Sequence, residues 1–105
     1  MVIIETSVFT RQVQKLLTDD EYHQLQLALV ERPDLGAVIE GSGGLRKARW
    51  ARPGHGKRGG VRVIYYWAVE PNRLLMLLIY AKSERDDLSR EQLQMLRQIV
   101  EAEYK

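Results

Sequence analysis

The residues from Leu74 to Tyr80 form a nearly continuous apolar run, which is typical of a strand that is covered on both faces. The stretch from Val61 to Trp67 before it is rich in β-branched and aromatic residues, and Pro71-Asn72 between the two favours a turn. Together these features predict a β-hairpin. Because its second strand presents apolar side chains to both sides, we expect other elements to pack against the sheet that contains it.

Helical periodicity predicts three helices for this packing. Thr18 with Glu21 and Ser89 with Gln92 fit capping boxes, in which two side chains satisfy free backbone amides at the start of a helix. They mark the starts of the second and third helices. The inward positions at helical spacing are Phe9, Val13, Leu16 and Leu17 in the first helix, Tyr22, Leu25, Ala28 and Leu29 in the second, and Leu93, Leu96, Ile99 and Val100 in the third.

Two further strands complete the predicted fold. Val2-Ile3-Ile4 predicts a short first strand, and Leu45 to Ala51 alternates enough to form another. The predicted order is β-α-α-β-β-β-α, an α+β fold with a mostly antiparallel four-stranded sheet packed by helices. A chain of 105 residues is long enough to bury one core, so residues 1–105 are predicted to form a single domain.

The composition excludes several classes of protein. The sequence contains no Cys, which excludes disulfides and thiolate metal sites and is compatible with a reducing cytosol. The N-terminus lacks a basic region followed by a long apolar run, and no segment approaches the roughly 18 apolar residues that a membrane span needs. We therefore expect a cytoplasmic protein that is neither exported nor embedded in a membrane.

The charged residues are distributed unevenly along the chain. No Asp or Glu lies between Gly41 and Val69, so all 14 acidic residues lie elsewhere. A concentrated basic segment on an otherwise acidic chain suits a polyanion, and nucleic acid is the first candidate. The cations of this window are Arg46, Lys47, Arg49, Arg52, Lys57, Arg58 and Arg62.

Strand alternation predicts where these cations point. Lys47 and Arg49 fall on the same face of their strand, and a hairpin neighbour can bring Arg62 and Lys82 to the same side. Any one of these residues could simply solvate a surface. As a group they indicate a basic groove, because like charges on adjacent strands repel unless an anionic partner compensates. Arg62 is expected to face phosphate rather than the core.

The aromatic residues and histidines leave alternatives open. Tyr80 lies two residues before Lys82, so it either packs in the core or is exposed to stack on a base or exchange a proton. At least one of Tyr65 and Trp67 should be core. His55 can titrate near neutrality or bind phosphate. Two separated histidines without an acidic cluster make no metal site, and Gly56-Lys57 is followed by Arg58 rather than the Ser or Thr of a P-loop.

Three stretches carry a family resemblance. They are Gly43-Gly44-Leu45-Arg46-Lys47-Ala48-Arg49, then Gly56-Lys57-Arg58-Gly59-Gly60-Val61-Arg62-Val63-Ile64-Tyr65-Tyr66, then Ile79-Tyr80-Ala81-Lys82-Ser83-Glu84, with Asp87-Leu88 opening the last helix. This pattern resembles the RelE/HigB family of bacterial toxins over nearly the whole chain. The resemblance implies a ribosome-dependent endoribonuclease that cleaves messenger RNA, is silenced by a partner antitoxin and uses no cofactor.

The resemblance also implies a set of site residues. It implies Lys47, Arg49, Lys57, Arg58, Arg62 and Lys82, and the residue types add Arg46, His55 and Tyr80. Arg62, Lys82, Lys57 and Tyr80 are the candidates for catalysis, and Arg46, Lys47, Arg49, Arg58 and His55 are those for RNA binding. Some members carry a catalytic Tyr near the start of the last helix, where this chain has Asp86, Asp87, Leu88 and Ser89. That role is either absent or taken by another group, with Tyr80 and His55 the available substitutes.

The residue types fit RNA cleavage without a metal. When a 2′-hydroxyl attacks its own phosphate, a base must accept its proton, cations must neutralise the added charge and an acid must protonate the leaving oxygen. Arg62 and Arg58 can supply the neutralisation, and Lys82 or Lys57 can serve as base or acid. Two alternatives remain, namely a ParE-type toxin that inhibits gyrase and a non-catalytic RNA-binding module. An acidic antitoxin would be steered to the basic segment, while the last helix offers a different contact surface at Met95.

Overall fold

The computed structural model describes residues 1–51, 60–85 and 87–104, and the strands in these residues form one mixed sheet. The strand order across the sheet is β1-β5-β4-β3-β2. Neighbouring strands are antiparallel except for β1, which runs parallel to β5. In chain order, the elements are β1 (Val2–Glu5), α1 (Ser7–Leu16), α2 (Asp19–Glu31), β2 (Ala37–Val38), β3 (Arg46–Trp50), β4 (Val61–Ala68), β5 (Arg73–Ala81) and α3 (Arg90–Tyr104).

The α+β class and the order of the predicted elements agree with the structure, but the sheet differs from the prediction in two details. It has five strands in the described residues rather than four, because Ala37 and Val38 form an additional strand on the outer edge of β3. Two residues are too few to show any periodicity, so this strand leaves no pattern in the sequence. The sheet is also mixed, because β1 pairs with β5 in parallel. The direction of this pairing depends on the path of the chain between the two strands, which local sequence patterns do not show.

Helices α1 and α2 cover one face of the sheet. The Thr6 hydroxyl accepts a hydrogen bond from the Phe9 amide at the start of α1 (3.1 Å), and the predicted capping box of Thr18 and Glu21 begins α2. Each of the two helices packs an apolar face against the strands. The buried core on this side contains Phe9, Val13, Leu17, Leu25, Leu29, Ala48, Val61, Val63, Tyr65, Leu74, Met76 and Ile79.

Helix α3 covers the opposite face. The predicted capping box is present, with Gln92 and Ser89 each accepting a hydrogen bond from the other's backbone amide (2.9 and 3.1 Å). Val100 is buried and Met95 is 65% exposed, as expected, whereas Ile99 was predicted to point inward and is 41% exposed. The buried core on this side contains Leu45, Ile64, Leu75, Leu77, Tyr80 and Val100, so β5 is covered on both faces, as the sequence predicts.

A β-bulge in β5 changes which of its residues face α3. Ile64 pairs with Leu78, and the next residue of β4, Tyr65, pairs with Met76. Leu77 is therefore an extra residue of β5 that has no pairing partner on β4. Leu77 and Leu78 therefore both pack on the α3 side. Beyond the bulge, the alternation is reversed relative to the first half of the strand, and Tyr80 rather than Ile79 faces α3.

Candidate functional site

One row of residues crosses three strands on the α3 face of the sheet. Arg49 of β3 lies opposite Arg62 of β4, and Arg62 lies opposite Tyr80 of β5. Lys47 lies two residues before Arg49 on the same face of β3, opposite Ile64. The structure thus brings together three of the predicted cations, Lys47, Arg49 and Arg62, as strand alternation indicates.

Arg62 differs from its prediction in one respect. It was expected to face phosphate rather than the core, but its side chain is buried, with only 6% of the residue exposed. Its Nη1 donates a hydrogen bond to the carbonyl of Val61 (3.4 Å). A guanidinium keeps its charge inside a protein, so Arg62 adds a fixed positive charge beside the more exposed Arg49.

Asp87 adds an acidic group to this basic surface. Lys47 Nζ donates to Asp87 Oδ1 at 2.5 Å, across 40 positions of the chain. This hydrogen bond and the charge of Lys47 hold the pKa of the Asp87 carboxyl below its usual range. The charges of Arg49 and Arg62 lower the same pKa further, which shows that all three cations act on one carboxylate.

A cleft of about 640 Å³ adjoins this cluster. Lys47, Arg49 and Asp87 form the polar part of its lining, and the remainder is apolar. The cleft lies between the edge strand β2 and the residues that begin α3, and its apolar lining consists of Leu35, Ala37, Val38, Ile39, Ile64, Leu88 and Leu93. It can therefore hold an anionic group against its basic residues and an uncharged group against its apolar ones.

Tyr80 and Lys82 lie at the end of β5 next to the row of Arg49 and Arg62. Tyr80 is 4% exposed and packs in the core beneath α3. It therefore does not present the exposed ring that base stacking requires. Lys82 is exposed, and its backbone amide donates to the carbonyl of Gly60 (3.0 Å). This hydrogen bond follows directly after the last residue pair of the two strands, Val61 with Ala81, so Lys82 lies at the same end of the hairpin as Arg62.

Arg46 is separated from the other predicted binding residues. Its Nη1 donates to the carbonyl of Gly36 (2.8 Å), and its guanidinium carbon lies 6.0 Å from the centroid of the Trp67 ring. Since neighbouring residues of a strand point to opposite faces, Arg46 faces α1 and α2 whereas Lys47 faces α3. The structure therefore places Arg46 on the opposite face of the sheet from Lys47 and Arg49, and its contacts hold β3 to the segment before β2.

Three predicted site residues, His55, Lys57 and Arg58, lie outside the described residues. Conversely, the sequence did not single out Asp87 as a partner of Lys47. It marked this position as part of the family pattern before the last helix and as a place where a tyrosine of some family members is missing. Since the ion pair joins two segments that are distant in sequence, no local spacing could have indicated it.

Among residues 1–51, 60–85 and 87–104, no helix is long and apolar enough to cross a membrane. In the same residues, no group of three or more His, Cys, Asp or Glu side chains could hold a metal ion. A comparison with protein families finds a match over residues 1–104, to the family described as "RelE toxin of RelE / RelB toxin-antitoxin system".

Proposed function

The chain belongs to the family of RelE toxins of toxin-antitoxin systems, and on this premise we propose that it is an endoribonuclease that cleaves messenger RNA on the ribosome. The observation that carries this proposal is the convergence of Lys47, Arg49 and Arg62 on one face of the sheet beside a cleft. Such a surface suits a phosphodiester with a nucleoside attached, because it offers cations for the phosphate and apolar space beside them.

The reaction assigned to this surface is attack of a ribose 2′-hydroxyl on the adjacent phosphorus. The bond to the leaving 5′-oxygen breaks, which yields a 2′,3′-cyclic phosphate and a 5′-hydroxyl. Arg62 and Arg49 neutralise the charge that develops on the phosphoryl oxygens. The burial of Arg62 supports this role, because a charge held in a fixed position needs no rearrangement during the reaction.

Proton transfer is assigned to Lys82, with Lys57 as the second candidate. Lys82 is exposed at the end of the hairpin that carries Arg62, so its ammonium group can reach a substrate held there. Tyr80 is buried, and we propose that it supports Arg62 from the neighbouring strand instead of stacking on a base. Arg58, from the resemblance, and His55, from its residue type, are proposed to contact the RNA.

The test is to incubate the purified protein with translating ribosomes and to map the ends of the messenger RNA, with a gyrase supercoiling assay in parallel. The proposed nuclease gives codon-positioned breaks with 5′-hydroxyl ends and leaves gyrase active. Inhibition of gyrase without breaks would establish the ParE-type alternative, and binding to ribosomes with neither effect would establish a non-catalytic RNA-binding module. Arg73→Ala is a suitable control for charge, because Arg73 is exposed at the opposite end of β5.

The proposed partners are the ribosome, messenger RNA and a cognate antitoxin, with all of them meeting in the cytoplasm. An antitoxin can silence the enzyme either by masking the basic groove or by preventing entry into the ribosome. We favour steric obstruction near the groove, since Met95 and Ile99 leave apolar surface exposed on α3. Cleavage of a short ribosome-free RNA by the complex, together with loss of ribosome binding, is the expected result. Loss of groove access with ribosome binding retained would favour direct masking.

A further inference from the structure

We propose that the Asp87 carboxylate is an internal competitor of the RNA backbone, occupying an anion position beside Lys47 that a phosphate takes over when RNA binds. This inference rests on the proposed function in one respect, namely that the anion displacing Asp87 is an RNA phosphate. In this proposal Asp87 weakens RNA binding, because its carboxylate covers Lys47 until a phosphate displaces it.

The geometry places Asp87 where an anion would bind. Its Oδ1 accepts the hydrogen bond from Lys47 Nζ, and its charge is also stabilised by Arg49 and Arg62. These two arginines lie opposite each other on adjacent strands, so an anion above them relieves their mutual repulsion. Asp87 thus provides in the free protein the compensation that a bound phosphate would provide in the complex.

The exposures of the two side chains indicate which of them a phosphate would displace. The Lys47 side chain is 18% exposed, whereas the Asp87 side chain is 77% exposed. Lys47 is held in a strand paired on both sides, while Asp87 lies in the segment between β5 and α3. A phosphate approaching from the cleft can therefore replace the carboxylate without disturbing the sheet. Exposed ion pairs are weak, so the exchange is easily reversible.

The pair is not needed to begin α3. The capping box of Ser89 and Gln92 satisfies the first amides of the helix, and Leu88, Leu93 and Leu96 pack against the core on this face. These interactions fix the helix start independently of the charge on Asp87. We therefore expect Asp87→Asn to fold normally, and its effect on RNA binding can be measured in a native protein.

The test measures the binding of a short 2′-O-methyl RNA, which lacks the attacking hydroxyl, to the wild-type protein, Asp87→Asn and Glu101→Gln. The control is matched, because Glu101 forms an exposed ion pair with Arg97 on the same helix and its substitution changes the net charge equally. At low salt, Asp87→Asn should bind about two- to fivefold more tightly than the control, the range expected for release of an exposed ion pair. Its plot of log affinity against log salt should be steeper, since Lys47 then releases a bound anion instead of the carboxylate, whereas the cations released from the RNA are the same in both proteins.

A second readout follows the carboxylate directly. The ¹³C resonance of the Asp87 carboxyl is recorded at neutral pH while the RNA is added to the wild-type protein. Displacement predicts that this resonance moves in parallel with binding and that the Glu101 resonance stays in place. A structural ion pair that is not displaced would leave both resonances unchanged.

The proposal is overturned if Asp87→Asn matches Glu101→Gln in affinity and salt dependence, if it binds more weakly while retaining native thermal unfolding, or if no variant binds the RNA. Its failure is distinguishable from failure of the proposed function. Codon-positioned cleavage by a wild-type protein whose Asp87 variant shows no gain would leave the proposed function intact and overturn the inference alone. Tighter binding by Asp87→Asn without ribosomal cleavage by the wild type would overturn the proposed function and leave the inference about Asp87 intact.

Discussion

Arg49 and Arg62 lie directly opposite each other on the antiparallel strands β3 and β4. Two like charges at this position destabilise the sheet, so their retention side by side requires a compensating anion. Asp87 supplies part of the compensation in the free protein, and the proposed RNA substrate supplies it in the complex. The two arginines therefore lower the stability of the free sheet and, in the proposed function, provide the charge that binds RNA on its α3 face.

Arg49→Ala should reduce ribosome-dependent cleavage while leaving stability unchanged or raised by about 0.2–1 kcal/mol, because the substitution removes the cross-strand repulsion. Loss of one charged hydrogen bond to phosphate corresponds to a rate loss of about 10- to 100-fold. Single-turnover cleavage and thermal unfolding measure the two effects. Arg73→Ala should alter neither by a comparable amount, and a destabilised Arg49→Ala protein would contradict the assignment of a repulsive pair.

Substitution of Arg62 should affect both folding and activity, because the side chain is buried. Arg62→Ala removes a buried side chain and should cost about 1–3 kcal/mol, the range typical of substitutions that disturb a core. Arg62→Lys keeps the charge but loses the planar fork of donors and buries a more strongly hydrated ammonium, so it should unfold below the wild-type temperature and cleave more slowly. Equal growth arrest by Arg62→Lys and the wild type at equal expression would show that the fork is not required.

Lys82→Ala should remain folded, since the side chain is exposed and the hydrogen bond to Gly60 uses only the backbone. If Lys82 transfers a proton, single-turnover cleavage should slow by about 10²–10⁴-fold while ribosome affinity changes little. Lys15→Ala provides the control, because Lys15 is an exposed lysine on α1. Weaker ribosome binding with unchanged single-turnover cleavage would assign Lys82 to binding instead.

The phenol of Tyr22 should make the protein less stable at alkaline pH. Its hydroxyl donates to Glu5, and burial, followed by this hydrogen bond and the negative charge of Glu5, raises the pKa of Tyr22 above its usual range. The folded state therefore holds the proton more tightly than the unfolded chain. The resulting stabilisation is complete below about pH 10 and is lost as the pH rises towards the raised value.

Tyr22→Phe isolates this contribution. The variant should be less stable than the wild type by about 1–2 kcal/mol at neutral pH, as expected for loss of a hydrogen bond to a charged group. The difference should shrink above pH 10, and denaturant unfolding across this range measures it. A difference that stays constant with pH would mean that Tyr22 contributes through its ring rather than through its proton. Burial also raises the pKa of Tyr65, so some alkaline sensitivity should persist in the variant.

The local patterns of the sequence were sufficient to predict most of the elements and the basic character of one segment. The capping boxes at Thr18 and Ser89 predicted the starts of two helices, because the interactions that cap a helix involve residues only three positions apart. The apolar run from Leu74 to Tyr80 predicted a strand covered on both faces for a similar reason, since burial on each side follows directly from residue type.

The arrangement of the candidate site was decided only by the tertiary structure. Strand alternation correctly placed Lys47 with Arg49, but the bulge at Leu77 determined that Tyr80 meets Arg62, and a bulge depends on the register with a neighbouring strand. The burial of Arg62 likewise arises only in the assembled structure, and the contact of Lys47 with Asp87 requires the segment that leads into α3 to lie over the finished sheet. Residue types and local spacing determined that a basic surface would form, whereas the contacts between distant segments decided which groups share it, because those contacts arise only when the sheet and the last helix assemble.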